Sequence, residues 1–126
     1  MYQMLQCFLP EFMIEPVTVD NLSDYESVFY NNKEYYCLTD GHSATREICE
    51  DTICGCSSYN VHSIGISWNG QAISFLSILD GYPDVDTLYI GLLLVDERFK
   101  RQSVGTSIMK AIFITAANLK FKNLLE

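Results

Sequence analysis

The sequence lacks any apolar run long enough to cross a bilayer. Its longest uninterrupted apolar stretches fall far short of the ~20 residues that a membrane-spanning helix requires. The first nine residues carry no basic side chain, so they also lack the positive start of a secretory signal. We therefore expect a cytoplasmic protein without a membrane partner.

The paired cysteines of a zinc site or a disulfide framework are also missing. The chain has five cysteines, an odd number, and none stands in a Cys-x-x-Cys pair. Cys54-Gly-Cys56 could grip a metal, but without a second pair or an adjacent histidine we expect plain reduced thiols. His42 and His62 each stand apart from any Ser-His-Asp or Cys-His pattern. The sequence thus predicts neither a metal site nor a triad hydrolase.

Basic residues are scarce and unevenly placed. Eight Lys and Arg oppose sixteen Asp and Glu, for a net charge of −8. Residues 1–97 contain two bases and fifteen acids, whereas residues 98–126 contain six bases and one acid. No broad basic face is available to neutralise the phosphates of a nucleic acid, so we exclude that partner. The basic end suits a polyanionic ligand, while the acidic part either attracts a cationic amine or simply keeps the domain soluble.

Length and hydrophobic content indicate one compact domain. The chain has 126 residues, 48% of them hydrophobic, and shows no repeat, low-complexity tract or linker. We assign residues 13–126 to this domain and residues 1–12 to an N-terminal extension.

The first part of the domain is predicted to contain a strand and two helices. The strand runs from Met13 to Thr18, and a helix capped by Asp20 or Asn21 follows to about Tyr30. A second short helix is predicted between residues 43 and 54. The apolar face of the first helix comprises Leu22, Tyr25, Val28 and Phe29.

Asn69-Gly70 is the most specific local signal in the chain. It separates a strand from Val61 to Trp68 from a strand from Gln71 to Leu79. Both central residues of a type I′ turn need positive φ, which Asn and Gly tolerate, so the two strands are predicted to form an antiparallel hairpin. The second strand and the run Leu88 to Val95 are apolar at odd and even positions alike, which places both inside a sheet covered on two faces.

An amphipathic helix is predicted from Val104 onward. Apolar residues recur there at spacings of three and four, as in a helix that packs on a sheet. Residues 121–125 are predicted to begin one more strand. The core face of the helix comprises Ile108, Ala111, Ile112, Thr115, Ala116 and Leu119.

The segment between the last long strand and this helix has the features of a phosphate site. It reads Asp96-Glu-Arg-Phe-Lys-Arg-Gln-Ser-Val-Gly105. The first N–H groups of a helix have no partner within it and carry partial positive charge, so they favour an anion. Lys100 and Arg101 add full charges, and Gly105 permits close approach of the backbone. The segment is neither a P-loop, since no Gly-Lys-Ser/Thr follows, nor a dinucleotide fingerprint, since only one of three glycines is present.

Lys100-Arg-Gln-Ser-Val-Gly105 resembles the pyrophosphate loop of the GNAT acetyltransferases. The family pattern is Arg or Gln, two free positions, Gly, one free position, then Gly or Ala. Gly105 fits outright, whereas Lys100 stands where Arg or Gln is usual and Ser103 where the first Gly is usual. The hairpin, the Gly-Tyr-Pro-Asp loop at 81–84, the strand and the loop also follow the family's order. The resemblance implies an α/β (α+β) fold: a mixed, mostly antiparallel sheet flanked by helices, without the family's C-terminal strands.

The activity that this resemblance implies is N-acetyl transfer from acetyl-CoA to a primary amine of a small molecule or peptide. No metal or covalent enzyme intermediate is required. The alternative is an inactive remnant that binds CoA or another protein. In the family the pantetheine arm lies along the fourth strand and the pyrophosphate lies on the loop and helix start. The implied cofactor-binding residues are Leu93, Leu94, Val95, Lys100, Arg101, Gln102, Ser103, Val104, Gly105, Thr106 and Ser107.

The resemblance also places the amine acceptor near two short segments, one after the first helix and one before the fourth strand. It identifies no general base or acid here, because the tyrosine that usually protonates the CoA thiolate belongs to a helix and strands that we expect the chain to lack. The sheet edge left open in this way favours a homodimer. The implied substrate-binding residues are Glu34, Tyr35, Tyr36, Asp80, Tyr82 and Asp84.

Overall fold

The computed structural model of the chain describes residues 2–30 and 60–125. The short helix predicted between residues 43 and 54 lies outside them. Three α-helices are described, α1 (Tyr2–Phe8), α2 (Glu26–Tyr30) and α3 (Val104–Asn118). Single 3-10 helices, Leu22–Asp24 and Glu97–Gln102, precede α2 and α3. The strands are β1 (Met13–Pro16), β2 (Asn60–Trp68), β3 (Gln71–Asp80), β4 (Thr87–Val95) and β5 (Asn123–Leu125).

These strands form one sheet in the order β1-β2-β3-β4-β5. The first three pairings are antiparallel, and β5 pairs parallel to β4 after the crossover through α3. Helices flank the sheet, so the predicted mixed, mostly antiparallel α+β fold is confirmed.

The β2-β3 hairpin forms as its turn residues predict. Asn69 has φ of 51° and Gly70 has φ of 76°, the positive values that a type I′ turn needs. Eight consecutive residues of β3, numbers 72–79, are buried, because helices cover both faces of the sheet at this strand.

Two apolar cores lie on the two faces of the sheet. The larger one packs α1 and α3 against β2, β3 and β4. The smaller one packs α2 against β3 and β4, where the rings of Phe29 and Phe75 lie 4.9 Å apart between centroids. All four residues predicted for the face of the first helix are buried here, although the segment folds as a 3-10 turn followed by a short α-helix.

The predicted side-chain cap of that helix does not form at Asn21. Asn21 stands at the N-cap position of the 3-10 helix but makes no side-chain capping bond. Its Oδ1 accepts from the Thr18 N–H at 2.7 Å, and its Nδ2 donates to the Pro16 carbonyl at 2.9 Å. Asn21 therefore closes the turn that leaves β1, which is the local alternative that Asn side chains often favour.

Helix α1 lies within the predicted N-terminal extension. Leu5 of this helix and Leu9, which directly follows it, belong to the larger core, at 1% and 2% exposure. Gln6 ties the helix to β1, since its Oε1 accepts from the Ile14 N–H at 3.0 Å and its Nε2 donates to the Phe12 carbonyl at 2.6 Å. The domain boundary near residue 13 stays a prediction. In the described structure the two segments share one core.

Helix α3 begins at Val104, as its apolar spacing predicts. Of the residues predicted for its core face, all but Leu119 are buried. Leu119 stands at the C-cap and is 37% exposed, because the helix ends at Asn118 before that position can face the sheet. No helix in the described ranges is long and apolar enough to cross a membrane.

Candidate cofactor site

The end of β4 and the start of α3 meet at the hairpin end of the sheet. The Asp96 N–H donates to the Ile73 carbonyl at 2.9 Å, so the chain stays tied to β3 one residue beyond the strand. The 3-10 helix Glu97–Gln102 follows, and Ser103 joins it to α3. The predicted loop therefore consists of a 3-10 helix and a single residue, Ser103, that leads into α3.

Asp96 holds the start of this connection. Its side chain is fully buried, and its Oδ1 accepts from the Arg98 backbone N–H and from Arg98 Nε, both at 3.0 Å. Oδ2 accepts from Arg98 Nη2 at 2.8 Å. The hydrogen bonds and charge of Asp96 raise the pKa of the Arg98 guanidinium. The buried carboxylate therefore both caps the 3-10 helix and fixes a cation beside it.

The sequence analysis missed this pair. The signal was present, because an acid stands directly after an apolar strand and two residues before an arginine.

Ser103 adopts a left-handed conformation, with φ of 60° and ψ of 18°. This region costs a residue with a Cβ roughly 1–2 kcal/mol, whereas glycine adopts it freely. The position at which the resemblance expects glycine is therefore the one whose backbone favours glycine. Serine keeps the path of the chain here at a conformational cost.

The first amides of α3 precede its hydrogen-bond ladder. The Ser107 N–H donates to the Ser103 carbonyl at 3.0 Å, so the N–H groups of Val104, Gly105 and Thr106 come before the first i to i−4 bond. The first turn contains no acidic side chain that would oppose an anion. The Val104 side chain is buried in the larger core, so Val104 could contact an anion at the start of α3 through its backbone N–H.

The space next to Gly105, where a side chain would begin, is largely unoccupied by the protein. A Cβ built at this position would meet only Val95 Cγ2, at an ordinary contact distance of 3.7 Å. The packing of the protein therefore does not require glycine here. The N–H groups of Val104, Gly105 and Thr106 and the open space next to Gly105 form a recess that fits a phosphate group. We call this recess the cradle.

Strand β4 departs from regular pairing in its middle. Ser77 of β3 pairs with Leu92 and Ile78 pairs with Ile90, so Gly91 is an extra residue that forms a β-bulge. On the other side, β5 pairs only with the first three residues of β4, Thr87–Tyr89. Leu93 and Leu94 lie beyond that pairing, on the path from the bulge to the loop.

The residues predicted to contact substrate divide into two groups. Glu34, Tyr35 and Tyr36 lie outside the described residues. Asp80 ends β3, and Tyr82 and Asp84 lie in the turn between β3 and β4, at the far end of β4 from the loop. Eight residue steps separate Thr87 from Val95, or about 26 Å at the usual rise per residue.

The contacts of this second group are local. Asp84 Oδ1 accepts from the Asp86 N–H at 3.0 Å and from Thr87 Oγ1 at 2.9 Å, which closes the turn into β4. The Tyr82 ring packs edge-on against Tyr89, with centroids 5.3 Å apart. Asp80 Oδ2 lies 3.8 Å from His62 Nε2, so the structure gives a partner to a histidine that the sequence leaves alone.

A cavity of about 370 Å³ lies on the α2 face, at the hairpin end of the sheet. Glu15 and Asp24 line it, together with Tyr25, whose hydroxyl donates to Glu15 Oε1 at 2.7 Å. Burial first, and then this hydrogen bond, raise the pKa of Tyr25. Sequence analysis assigned Tyr25 to the core correctly but gave no indication of the cavity, because Glu15 and Asp24 are far from any motif.

The described residues bring no set of metal ligands together. Within residues 2–30 and 60–125, no group of three His, Cys, Asp or Glu side chains is placed to hold a metal ion. Cys7 is the cysteine that these residues include, and it is exposed and free.

Comparison with solved structures shows the fold. An acetyltransferase from Thermus thermophilus superposes with a TM-score of 0.71 at 17% identity, covering 82% of this chain and 68% of that one. The ribosomal-protein-S18-alanine N-acetyltransferase from Escherichia coli gives a TM-score of 0.61 at 14% identity, covering 90% of this chain and 65% of that one. PaiA N-acetyltransferase from Thermoplasma acidophilum, solved in complex with coenzyme A, gives 0.59 at 9% identity, covering 87% and 74%.

Comparison of sequences identifies the family. No curated protein sequence matches significantly. The family model described as the acetyltransferase (GNAT) family matches residues 25–126, which is most of the chain and includes β2 to β5 and the connection from β4 to α3. The chain therefore belongs to the GNAT acetyltransferase family.

Proposed function

We propose that this protein transfers an acetyl group from acetyl-CoA to a primary amine of a small molecule or peptide. The observation that carries the proposal is the connection from β4 to α3. It combines three helix-start amides, a left-handed residue before them and a glycine whose Cβ position is open. These features fit a diphosphate. Acetyl-CoA, the acetyl donor that the family resemblance implies, contains a diphosphate.

In this proposal the amides of Val104, Gly105 and Thr106 hold the diphosphate, and Lys100 and Arg101 add charge. The main chain of Leu93 to Val95 aligns the pantetheine arm. Gln102, Ser103 and Ser107 complete the set of residues around the phosphates. Each role is one of binding and orientation, so the loop sets affinity for the cofactor rather than the rate of the chemical step.

The chemical step needs a donor for the oxyanion that forms when the amine attacks the thioester. The bulge at Gly91 supports a role for the β4 backbone, since an extra residue in a bulge is left out of the strand ladder. An N–H group released in this way is preorganised and can stabilise developing negative charge. The amine must arrive unprotonated, through a base or a bound water.

The amine acceptor is proposed to approach from the end of β4 that bears Asp80, Tyr82 and Asp84. The direction of β4 supports this, because the diphosphate site lies at its other end and the bulge lies between them. Carboxylates at that end favour a cationic amine over a neutral acceptor. Glu34, Tyr35 and Tyr36 are proposed for the same acceptor region on the family resemblance alone.

Calorimetric titration of acetyl-CoA, followed by an assay of CoA thiol release with a panel of amines, tests the proposal. Binding and amine-dependent release are expected. Absence of binding would overturn the cofactor assignment. Binding without turnover on any amine would favour the alternative, a CoA-binding or protein-interaction module.

One observation favours that alternative. Ser103 carries a side chain at a left-handed position beside the amides, so the cradle is costlier to form than with glycine. A second copy that pairs along the sheet edge beyond β5 would be the partner in that case. Light scattering at several protein concentrations measures this association directly.

A further inference from the structure

A second cavity lies on the opposite face of the sheet from the α2 cavity. It encloses about 220 Å³ between the β2-β3 hairpin, the segment after α1 and the start of α3. Its volume is below the range of about 300–1,000 Å³ typical of drug-sized ligands, so it suits a small head group. Its lining comprises Glu11, Phe12, Trp68, Ile73, Phe99 and Val104.

Three of the six lining side chains are aromatic and a fourth is acidic. The aromatic side chains of the lining are Phe12, Trp68 and Phe99, and the faces of such rings are electron-rich and attract cations. Trp68 is large and apolar but 46% exposed, so a molecule that enters the cavity from solvent can contact it. Glu11 is the single ionisable side chain of the lining and makes it negative.

Phe99 lies next to a cation within the protein. The guanidinium carbon of Arg98 lies 5.7 Å from the centroid of its ring. The Arg98 charge is balanced by the buried carboxylate of Asp96, at 2.8 Å, so this pair adds little net charge next to the cavity. Charge complementarity therefore favours a positively charged guest, in a protein whose net charge is −8.

We infer that this cavity is a binding site for a small organic cation with a quaternary or methylated ammonium head. Such a head is apolar in surface and positive in charge, so it satisfies the aromatic walls and Glu11 together. A primary ammonium would lose strong hydrogen bonds to water on entering a site lined by these rings. A neutral hydrocarbon would have no favourable charge interaction with Glu11. Val104 belongs both to the lining of this cavity and to the start of α3, so the cavity adjoins the proposed cofactor loop.

Choline and its uncharged isostere 3,3-dimethyl-1-butanol are suitable probes. The chain contains one tryptophan, Trp68, so intrinsic fluorescence of the full chain reports directly from the cavity. We expect choline to change the emission of Trp68 saturably and to bind about tenfold more tightly than the isostere. Equal binding of the two probes would overturn the inference, as would no binding of choline. Acetyl-CoA is absent from this experiment, so its outcome is independent of the proposed acetyl transfer.

Two variants locate the effect. Glu11→Gln should weaken choline binding severalfold, whereas Asp20→Asn, which removes the same charge from an exposed position away from the cavity, should not. Equal weakening in both variants would assign the effect to overall charge and contradict the site. Trp68→Leu, titrated by calorimetry, should lose choline binding while keeping the unfolding midpoint close to that of the unaltered protein, because Trp68 is partly exposed.

Discussion

Asp96 Oδ2 and Arg98 Nη2 lie 2.8 Å apart, and the same carboxylate accepts the backbone N–H of Arg98. One buried side chain thereby fixes the end of β4 and the beginning of the proposed cofactor loop. A charge that is buried and satisfied in this way becomes costly when its partner groups are lost.

Replacement of the carboxylate tests this link. Asp96→Ala should lower the free energy of unfolding by about 1–3 kcal/mol, because the capped N–H and the guanidinium lose their acceptor. Acetyl-CoA binding should weaken as well, since the loop is no longer fixed. Urea unfolding and calorimetry measure the two effects. Arg98→Met should also lower stability, because it leaves the buried carboxylate without its cation. It keeps the Arg98 backbone N–H bonded to Asp96, so it should weaken acetyl-CoA binding less than Asp96→Ala does. Stronger weakening of binding by Arg98→Met would contradict the assigned roles.

The left-handed residue before α3 gives a second prediction. Ser103→Gly should stabilise the fold by up to about 1 kcal/mol, since relief of the unfavourable φ exceeds the added entropy of the unfolded chain. It should also tighten acetyl-CoA binding by removing a Cβ from the cradle. Asn69→Gly is a matched control, because Asn69 also has positive φ but lies in the hairpin turn. This control should leave affinity unchanged, and equal tightening in both variants would rule out a local cause.

Substitution of Gly105 separates effects on protein stability from effects on acetyl-CoA binding. Gly105→Ala should leave the protein folded and even raise its stability by up to about 1 kcal/mol, because alanine is the better helix former and its Cβ meets only Val95. The family pattern accepts glycine or alanine at this position, so acetyl-CoA affinity should change little. Thermal unfolding and calorimetry on one preparation give both values. Loss of binding in a stably folded variant would show that the phosphate site does not follow the family pattern.

The raised pKa of Tyr25 predicts a pH dependence. In the folded protein the hydroxyl stays protonated above the ordinary tyrosine pKa of about 10, while in the unfolded chain it ionises there. The unfolded chain thus binds fewer protons, and the free energy of unfolding falls as pH rises beyond about 10. Tyr25→Phe removes this loss. Its deficit of about 1 kcal/mol at pH 8, from the lost bond to Glu15, should shrink by pH 11 in urea titrations. A constant deficit would contradict the prediction.

The elements that the sequence predicts well are those with strong local signals. Asn69-Gly70 requires positive φ, and the apolar spacing of α3 admits one buried face, so both form as expected. The charge and spacing of the loop match a family pattern, and the sequence places it correctly between the last long strand and α3; its role in cofactor binding stays a prediction. The backbone path of the loop does not follow from the sequence, because it depends on the contact of Asp96 with Arg98 and on the bond from Asp96 to Ile73.

Features that depend on tertiary packing escaped prediction. Phe12, Trp68 and Phe99 are far apart in the chain and line one cavity only after the hairpin and α3 come together. Asn21 is predicted to cap a helix, but its side chain instead bonds to the backbone of Pro16, at the end of β1, and of Thr18 in the turn that follows. Spacing rules describe one element at a time, so they do not report contacts between elements.

Strands β2, β3 and β4 are neighbours in sequence and in space, and α3 follows directly. Every contact described above that shapes the loop, from Ile73 to Ser107, comes from this one continuous stretch. The hydrogen bonds that set the backbone path of this connection are therefore local to residues 73–107, whereas its side chains Phe99 and Val104 also pack on the core that α1 shares. A change in α1 would reach the connection through these two side chains and would leave its backbone hydrogen bonds in place.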